Sequence, residues 1–285
     1  MNNIKVTAIV LDYFKADQVV KNIEGLNQQK TDFDFNIIVI DNSCSQDNAN
    51  KLLSLNRFTN VSMVINTQNL GYIKAHNEVS HLIKGDYVFI INPDIEWRDN
   101  DVLQKMVAYM DTHQDIGILG PKQIEITGKV AMSVRAFPKF FLQVARRTFL
   151  RKLPFLKKWV SYDEMKHIDY DKTQDVDWLQ SSCVLVRSDL WFKIGGFSKD
   201  YFLFMGDVEL SWQTWKNGLR VVYYPELTVY ADGERCSQGG FKKFFTSWVL
   251  RQHVKDSLRY RWKFIFDKNP RQEYYKKNEI NKVHN

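Results

Sequence analysis

A chain of 285 residues, 44% apolar and 26% charged, is of ordinary globular composition and can bury a sizeable core. Its three cysteines, Cys44, Cys183 and Cys236, include no pair at metal-ligand spacing, and so sparse and odd a set excludes a disulfide framework and fits a reducing compartment. The net charge of +7 is concentrated: residues 139–158 carry seven Lys/Arg and no acid, residues 239–268 carry net +6, and the remainder is net −6.

The first strand is expected at "VTAIVL" (6–11), followed by a helix marked by Val19, Val20, Ile23 and Leu26. "NIIVID" (36–41) is the next strand, "KLLSL" lies in a second helix, and "VSMVIN" (61–66) is a third strand. Ile73, Val79, Leu82 and Ile83 mark a helix that stops at Gly85. "DYVFII" (86–91) is a fourth strand, and Val102, Leu103, Met106, Val107 and Met110 form a helical stripe. This alternation predicts an α/β fold with a mainly parallel central sheet flanked by helices. The pattern loosens after Pro121. "VDWLQSSCVLVR" (176–187) is expected as one buried strand, "SDLWFKIGGF" as a short helix closed by Gly195, and "GDVELSWQTWKNGLR" (206–220) as a helix ended at Gly218, with the strand "RVVYYPE" after it. Residues 267–285 show no periodicity and are expected as a loose tail. The N-terminus starts with a strand rather than a leader, and no apolar run reaches the roughly 18 residues of a membrane span. The expectation is a cytoplasmic protein.

Ligands of open parallel sheets bind outside the carboxyl ends of the strands. Three acids fall at such ends: Asp12, Asp41 and Asp94. Asn92-Pro93-Asp94 is also a good turn in its own right. Neither G-x-G-x-x-G after the first strand nor G-x-x-x-x-G-K-[ST] occurs, which argues against a dinucleotide-binding or P-loop enzyme. Carboxylates without a phosphate-cradling glycine loop suggest a diphosphate neutralised by a divalent cation, since Mg²⁺ commonly takes one or two carboxylates plus phosphate oxygens.

Four segments, in order, resemble the family 2 glycosyltransferases of GT-A fold over roughly residues 4–265. "IIVIDNSCSQDN" (37–48) is similar to the family's nucleotide-binding turn, and "NTQNLGYIKAHNEV" (66–79) to its N-x-G-x-A-x-A-x-N segment. "VFIINPDIEW" resembles the strand ending in the metal motif. The stretch from "VDWLQSSCVLVR" to "RVVYYPE" resembles the acceptor-side block. The N-P-D and V-D-W-L forms, with "SVRAFP" (133–138) and "HVKDSLRY" (253–260), look like the branch of rhamnosyltransferases that use dTDP-L-rhamnose to build surface polysaccharides such as O-antigen.

The resemblance implies roles. Asp41 would accept a hydrogen bond from a uracil or thymine N–H, with Asp12, Asn69, Gly71, Lys74 and Asn92 around the nucleotide sugar. Asp94 would hold Mg²⁺ or Mn²⁺. The family often places a His after the strand matching "ELTVY"; here Ala231-Asp232-Gly233 stands there, and Asp232 is the substitute metal ligand. Asp207 would be the catalytic base of an inverting hexosyl transfer, although Gly206 stands where the family usually has Glu, and Glu209 where it usually has Asp. Glu209 is the reserve base or an acceptor ligand. Trp178 and Arg135 would meet the acceptor. The implied organisation is a nucleotide-sugar half (1–120), an acceptor half (121–238) and a basic C-terminal extension (239–285).

Within 139–160, apolar and aromatic side chains such as Phe140, Phe141, Phe149, Phe155 and Trp159 interleave with the seven cations, the composition of an interfacial amphipathic element. A second such contact is expected in 241–264. The partners expected are a nucleotide sugar, a lipid-linked or soluble glycan acceptor and an anionic membrane surface at the inner face of the cell. Nucleic acid is not expected, because no helix-turn-helix, RRM or zinc signature is present. Another UDP- or dTDP-sugar donor, a sugar-phosphate nucleotidyltransferase and an inactive scaffold are the competing readings.

Overall fold

The computed structural model describes residues 4–138, 168–232 and 247–283, with side chains to 279, and the isolated positions 153, 157, 161 and 165. Most of the basic segment 139–160, and residues 233–246, therefore lie outside the described residues.

Strands β1 (Ile4–Asp12), β2 (Asp34–Asp41), β3 (Val61–Ile65) and β4 (Tyr87–Ile91) alternate with helices α1 (Ala16–Asn27), α2 (Gln46–Leu52), α3 (Gly71–Glu78) and α4 (Val102–Thr112). Then come β5 (Ile116–Glu125), the short β6 (Val134–Arg135), β7 (Gln174–Asp175) and β8 (Trp178–Leu179), and β9 (Cys183–Arg187). Helices α5 (Ser188–Ile194) and α6 (Gly206–Lys216) lead to β10 (Arg220–Ala231), and α7 (Trp248–Lys263) and α8 (Pro270–Val283) follow.

Among the described residues, eight strands join in the order β3-β2-β1-β4-β9-β5-β10-β7. The sheet is mainly parallel, as expected; β9 runs antiparallel to both β4 and β5, and β7 antiparallel to β10. The central strands are apolar without alternation because both faces are covered. Ile38, Ile40, Ile90 and Val186 face a layer with Trp191 of α5 and Trp215 of α6. Ile37, Val39, Phe89 and Leu185 face Ile23 and Leu26 of α1 and Met106 of α4. The period of two along each strand sorts neighbours into opposite layers.

Four sequence expectations need correction. The run 176–187 is not one strand. It breaks at Gln180–Ser182, so that β8 pairs with β6 in a separate ladder and only β9 enters the main sheet. Strand β5 went unread because Gly117, Gly120 and Pro121 interrupt its apolar run. Strand β10 continues to Ala231 through a register shift between Tyr224 and Thr228. The tail is helical over Pro270–Val283: Pro270 opens it, Asn269 Oδ1 accepts from Arg271 N at 3.0 Å, and Tyr274 stacks edgewise on Trp215. A helix this polar, anchored by Tyr274 and Tyr275 on Trp215 and by Arg271 on Asp177, carries little periodic signal. Among the described residues, no helix is long and apolar enough to cross a membrane.

Candidate active site

Strands β1 and β2 pair in a register that sets Asp12 opposite Asp41, so both acids stand at the carboxyl end of the sheet. Both are buried. Asp41 Oδ1 accepts from Ser43 N at 2.9 Å and Asn48 Nδ2 at 3.2 Å, while its buried Oδ2 has no protein partner. An unpaired buried acceptor costs about 1–3 kcal/mol, so this oxygen suits a donor on a ligand. Asp12 differs. Its Oδ1 accepts from Lys15 N at 2.7 Å and its Oδ2 from Asn48, so it shapes the turn, and burial raises its carboxyl. Sequence reasoning missed Asn48, which touches both acids, and the exposed Tyr13 and Phe14 beside Asp12.

The Asn69–Gly71 turn is braced against the end of β2. Asn42 Nδ2 donates to Asn69 Oδ1 at 2.9 Å, Asn42 Oδ1 accepts from Leu70 N at 2.9 Å, and Asn69 Oδ1 accepts from Gly71 N at 2.8 Å. Gly71 has φ +73°, and a Cβ there would lie 2.6 Å from the Phe202 carbonyl oxygen, so only glycine allows this approach. Lys74 is not brought to this cluster. It is exposed and lines a separate cleft between α3 and α5 with Asn77, Glu78 and Lys199.

Asp94 ends its turn beside Asp232. The turn is pinned from α1, where Asn22 Nδ2 donates to the Asn92 carbonyl at 2.8 Å and Asn22 Oδ1 accepts from Trp97 Nε1 at 3.1 Å. Glu96 and Tyr230 exchange backbone bonds of 2.8 and 3.1 Å, which docks the end of β10 against the turn and brings Asp232 in. Asp232 Oδ2 accepts from Gln18 Nε2 at 3.0 Å and Lys15 Nζ at 3.3 Å. Burial, and then the adjoining Asp232 carboxylate, push the Asp94 carboxyl up to about 6. Two carboxylates forced together and partly desolvated fit a hard divalent cation, with diphosphate oxygens completing the shell. Among the described residues, no group of three or more such side chains surrounds a metal position.

Asp207 opens α6, one residue after Gly206, and is partly buried. Its Oδ1 accepts from Val208 N at 2.9 Å, and the nearby backbone N–H of Ser181 also favours its charged form. Burial nevertheless pushes it up to about 6. Tyr72 Oη lies 3.0 Å from Ser181 Oγ, which closes this corner. The next residue, Ser182, accepts from Asn92 N at 2.8 Å through its carbonyl. Consecutive residues therefore pin the Asp94 turn and lie beside Asp207, a link hidden while 176–187 read as one strand. Gly206 has a packing reason: a Cβ would lie 2.2 Å from Ile73 Cδ1.

The loop before α6 is held by Asp256, a fully buried acid of α7. Asp256 Oδ2 accepts from Leu203 N at 3.1 Å and Phe204 N at 3.0 Å, and its Oδ1 from Gln252 Nε2 at 2.7 Å. Glu209, the reserve base or acceptor ligand, already has protein partners. It lies two residues along the helix from Asp207, on the opposite side, where Tyr201 Oη donates at 2.5 Å and Lys263 Nζ at 2.7 Å. Both of its oxygens serve packing. Arg135 and Trp178 sit directly opposite each other in the β6–β8 ladder, with Trp178 Nε1 donating to the Ala136 carbonyl at 2.9 Å.

The sequence matches the family described as "Glycosyl transferase family 2" over residues 7–163. Among similar proteins, an N-acetylglucosaminyl-diphospho-decaprenol L-rhamnosyltransferase of Mycobacterium tuberculosis is 27% identical over 190 residues, covering 62% of this chain and 60% of the relative. Rhamnosyltransferase WbbL of Escherichia coli K12 is 26% identical over 178 residues, covering 61% of each chain. The matches thus span about three fifths of the relatives' length. The fold is similar to that of S. aureus TarS 1–349 in complex with UDP-GlcNAc (TM-score 0.57, 18% identity, 82% of this chain and 60% of that one). It also resembles the mannosyltransferase PcManGT of Pyrobaculum calidifontis in complex with GDP-Man and Mn²⁺ (TM-score 0.56, 13% identity, 98% of this chain and 80% of that one).

Proposed function

Because the chain belongs to glycosyl transferase family 2, we propose that it is a nucleotide-sugar-dependent glycosyltransferase that inverts the anomeric centre. The favoured donor is dTDP-L-rhamnose, and the favoured acceptor is a hydroxyl of a lipid-linked glycan in surface polysaccharide assembly. The rhamnosyltransferase relatives, one of them named for a diphospho-decaprenol acceptor, support that choice. In this reading residues 1–120 bind the nucleotide sugar, residues 121–238 the acceptor, and the basic segments hold the protein at the cytoplasmic face of the membrane.

The observation that carries the reading is the pairing of two chemistries at one sheet end: the crowded Asp94–Asp232 pair, and Asp207 tied to it through Ser181–Ser182. Asp41 Oδ2 takes the N–H of the pyrimidine. Asp94 and Asp232 would hold Mg²⁺ or Mn²⁺, which when bound supplies Lewis-acid stabilisation of the departing diphosphate. Asp207 removes the acceptor hydroxyl proton as the new C–O bond forms, and the donor's anomeric C–O bond breaks with its electron pair leaving on the diphosphate. A carboxyl near 6 is ionised at neutral pH yet more basic than an exposed one.

The test is release of nucleoside diphosphate by the purified protein with a panel of nucleotide sugars, each with and without a GlcNAc-diphospho-lipid analogue. Acceptor-stimulated release from dTDP-L-rhamnose alone supports the reading. Release from a different sugar moves the donor. Silence across the panel favours the inactive scaffold.

A further inference from the structure

Helix α7 lies within the basic segment 241–264 and presents one outward face. At 3.6 residues per turn, Trp248, Arg251, Lys255, Leu258, Arg259 and Trp262 fall within an arc of about 100°. All six are exposed. Trp262 is 81% exposed, and Phe266, which continues the line past the helix end, is 94% exposed. Soluble surfaces rarely collect large apolar side chains in this way unless something covers them. The only acid between residues 248 and 266 is Asp256, which is fully buried on the inner side of the helix. The outward positions of the helix itself are thus aromatic, aliphatic and cationic, with Arg259 donating to the Asp200 carbonyl at their edge.

We infer that this face of α7 lies on an anionic lipid surface. Charge decides the occupant. Two copies packed through this face would bring three cations against three cations, so a second chain is disfavoured. An anionic bilayer satisfies both halves of the pattern: tryptophan and leucine enter the headgroup boundary while the long basic stems reach back to the phosphates. The helix is about 24 Å long, enough to lie along the interface. Its Trp248 end stacks edgewise on Phe202 at 5.4 Å between ring centres, and the Phe202 carbonyl is the atom that Gly71 approaches. The face therefore begins beside the donor and base loops. A lipid-linked acceptor held in the same surface would present its head group there. The inference rests on the proposed membrane-linked acceptor and names the surface that meets the lipid.

The experiment is co-sedimentation of the full chain with phosphatidylcholine vesicles, with and without phosphatidylglycerol, for the wild type and W262A/F266A. Both substituted side chains are exposed, so the fold is retained. The wild type should pellet with the anionic vesicles only, less so at high salt, and the variant's affinity should fall on the order of tenfold or more. Transfer to a short soluble acceptor should be equal for both proteins, and its absence in the wild type would count against the proposed reaction without touching the vesicle result. Equal pelleting of both proteins overturns the assignment of this face. A wild type that stays in the supernatant overturns the membrane contact altogether. A wild-type dimer that the substitutions convert to a monomer reassigns the face to a protein partner.

Discussion

Asp207→Asn separates chemistry from stability and moves the two in opposite directions. The native carboxyl sits at about 6, against an ordinary value of 3.8, because burial outweighs the N–H groups that reach it. At about 1.4 kcal/mol per pH unit, ionising it in the fold costs up to about 3 kcal/mol at neutral pH. Residual solvent access reduces this to about 1–3 kcal/mol. The sign follows from proton counts. Between pH 3.8 and 6 the native state holds a proton that the unfolded state has lost, so stability falls as pH rises through this window. Asparagine removes the charge and keeps an oxygen for Val208 N. The variant should therefore melt about 2–6 °C above the wild type at pH 7.5. That gap should close as the pH is lowered towards 4. Transfer should fall by about 10²–10⁴-fold, the usual contribution of a general base. Nucleotide affinity should stay within a few-fold. Differential scanning calorimetry across pH, paired with a transfer assay, measures both. A variant that keeps more than about a tenth of the rate, or melts lower than the wild type at pH 7.5, would refute the reasoning and make Asp207 a structural acid.

The wild-type rate should itself rise with pH through about 6 as Asp207 loses its proton, and a flat profile from pH 5 to 8 would count against it. Asp94→Ala should weaken nucleotide diphosphate binding only in the presence of Mg²⁺ or Mn²⁺; calorimetry with and without EDTA checks this, and equal loss in both makes Asp94 a turn residue. Asp41→Asn puts an amide where an unpaired acceptor oxygen stands and should cost pyrimidine nucleotides about 1–3 kcal/mol of affinity by the same titration. Asp256→Ala orphans the N–H groups of Leu203 and Phe204 at about 1–3 kcal/mol each, and should lower both the melting temperature and the turnover, with nucleotide affinity little changed.

The strand-end acids were legible because Asp41 and Asp94 each follow a run of apolar residues buried on both faces, a local signal. Asp232 was legible only as the residue in a familiar position. Its proximity to Asp94 depends on the Glu96–Tyr230 bridge, between residues too far apart in the chain for any periodicity to relate them. The choice between Asp207 and Glu209 was open to helical geometry alone, since two residues along a helix face opposite ways. That Tyr201 and Lys263 take up Glu209 was not readable from the helix alone. Asp256 lay within the noted "HVKDSLRY", but the N–H groups it serves are more than fifty positions upstream. The serines at 181 and 182 looked like strand residues because both flanks are apolar, and their turn appears only once β8 and β9 are seen to join different ladders.

That pair of serines acts as a caliper. One jaw is the Ser182 carbonyl, which accepts from Asn92 N two residues before Asp94; the other is the Ser181 N–H beside Asp207. In a displacement that inverts, the leaving group and the incoming oxygen must approach one carbon from opposite sides, so the gap between the groups serving them has a required span. In the proposed reaction that span would be set by the two-residue backbone segment Ser181–Ser182 rather than by long flexible side chains alone. If the proposed reaction holds, drift around β6 and β8 would then retune which glycan is accepted while the working gap stays constant. Inserting one residue between 181 and 182 would open the jaws by several ångströms and leave both acids intact but out of step.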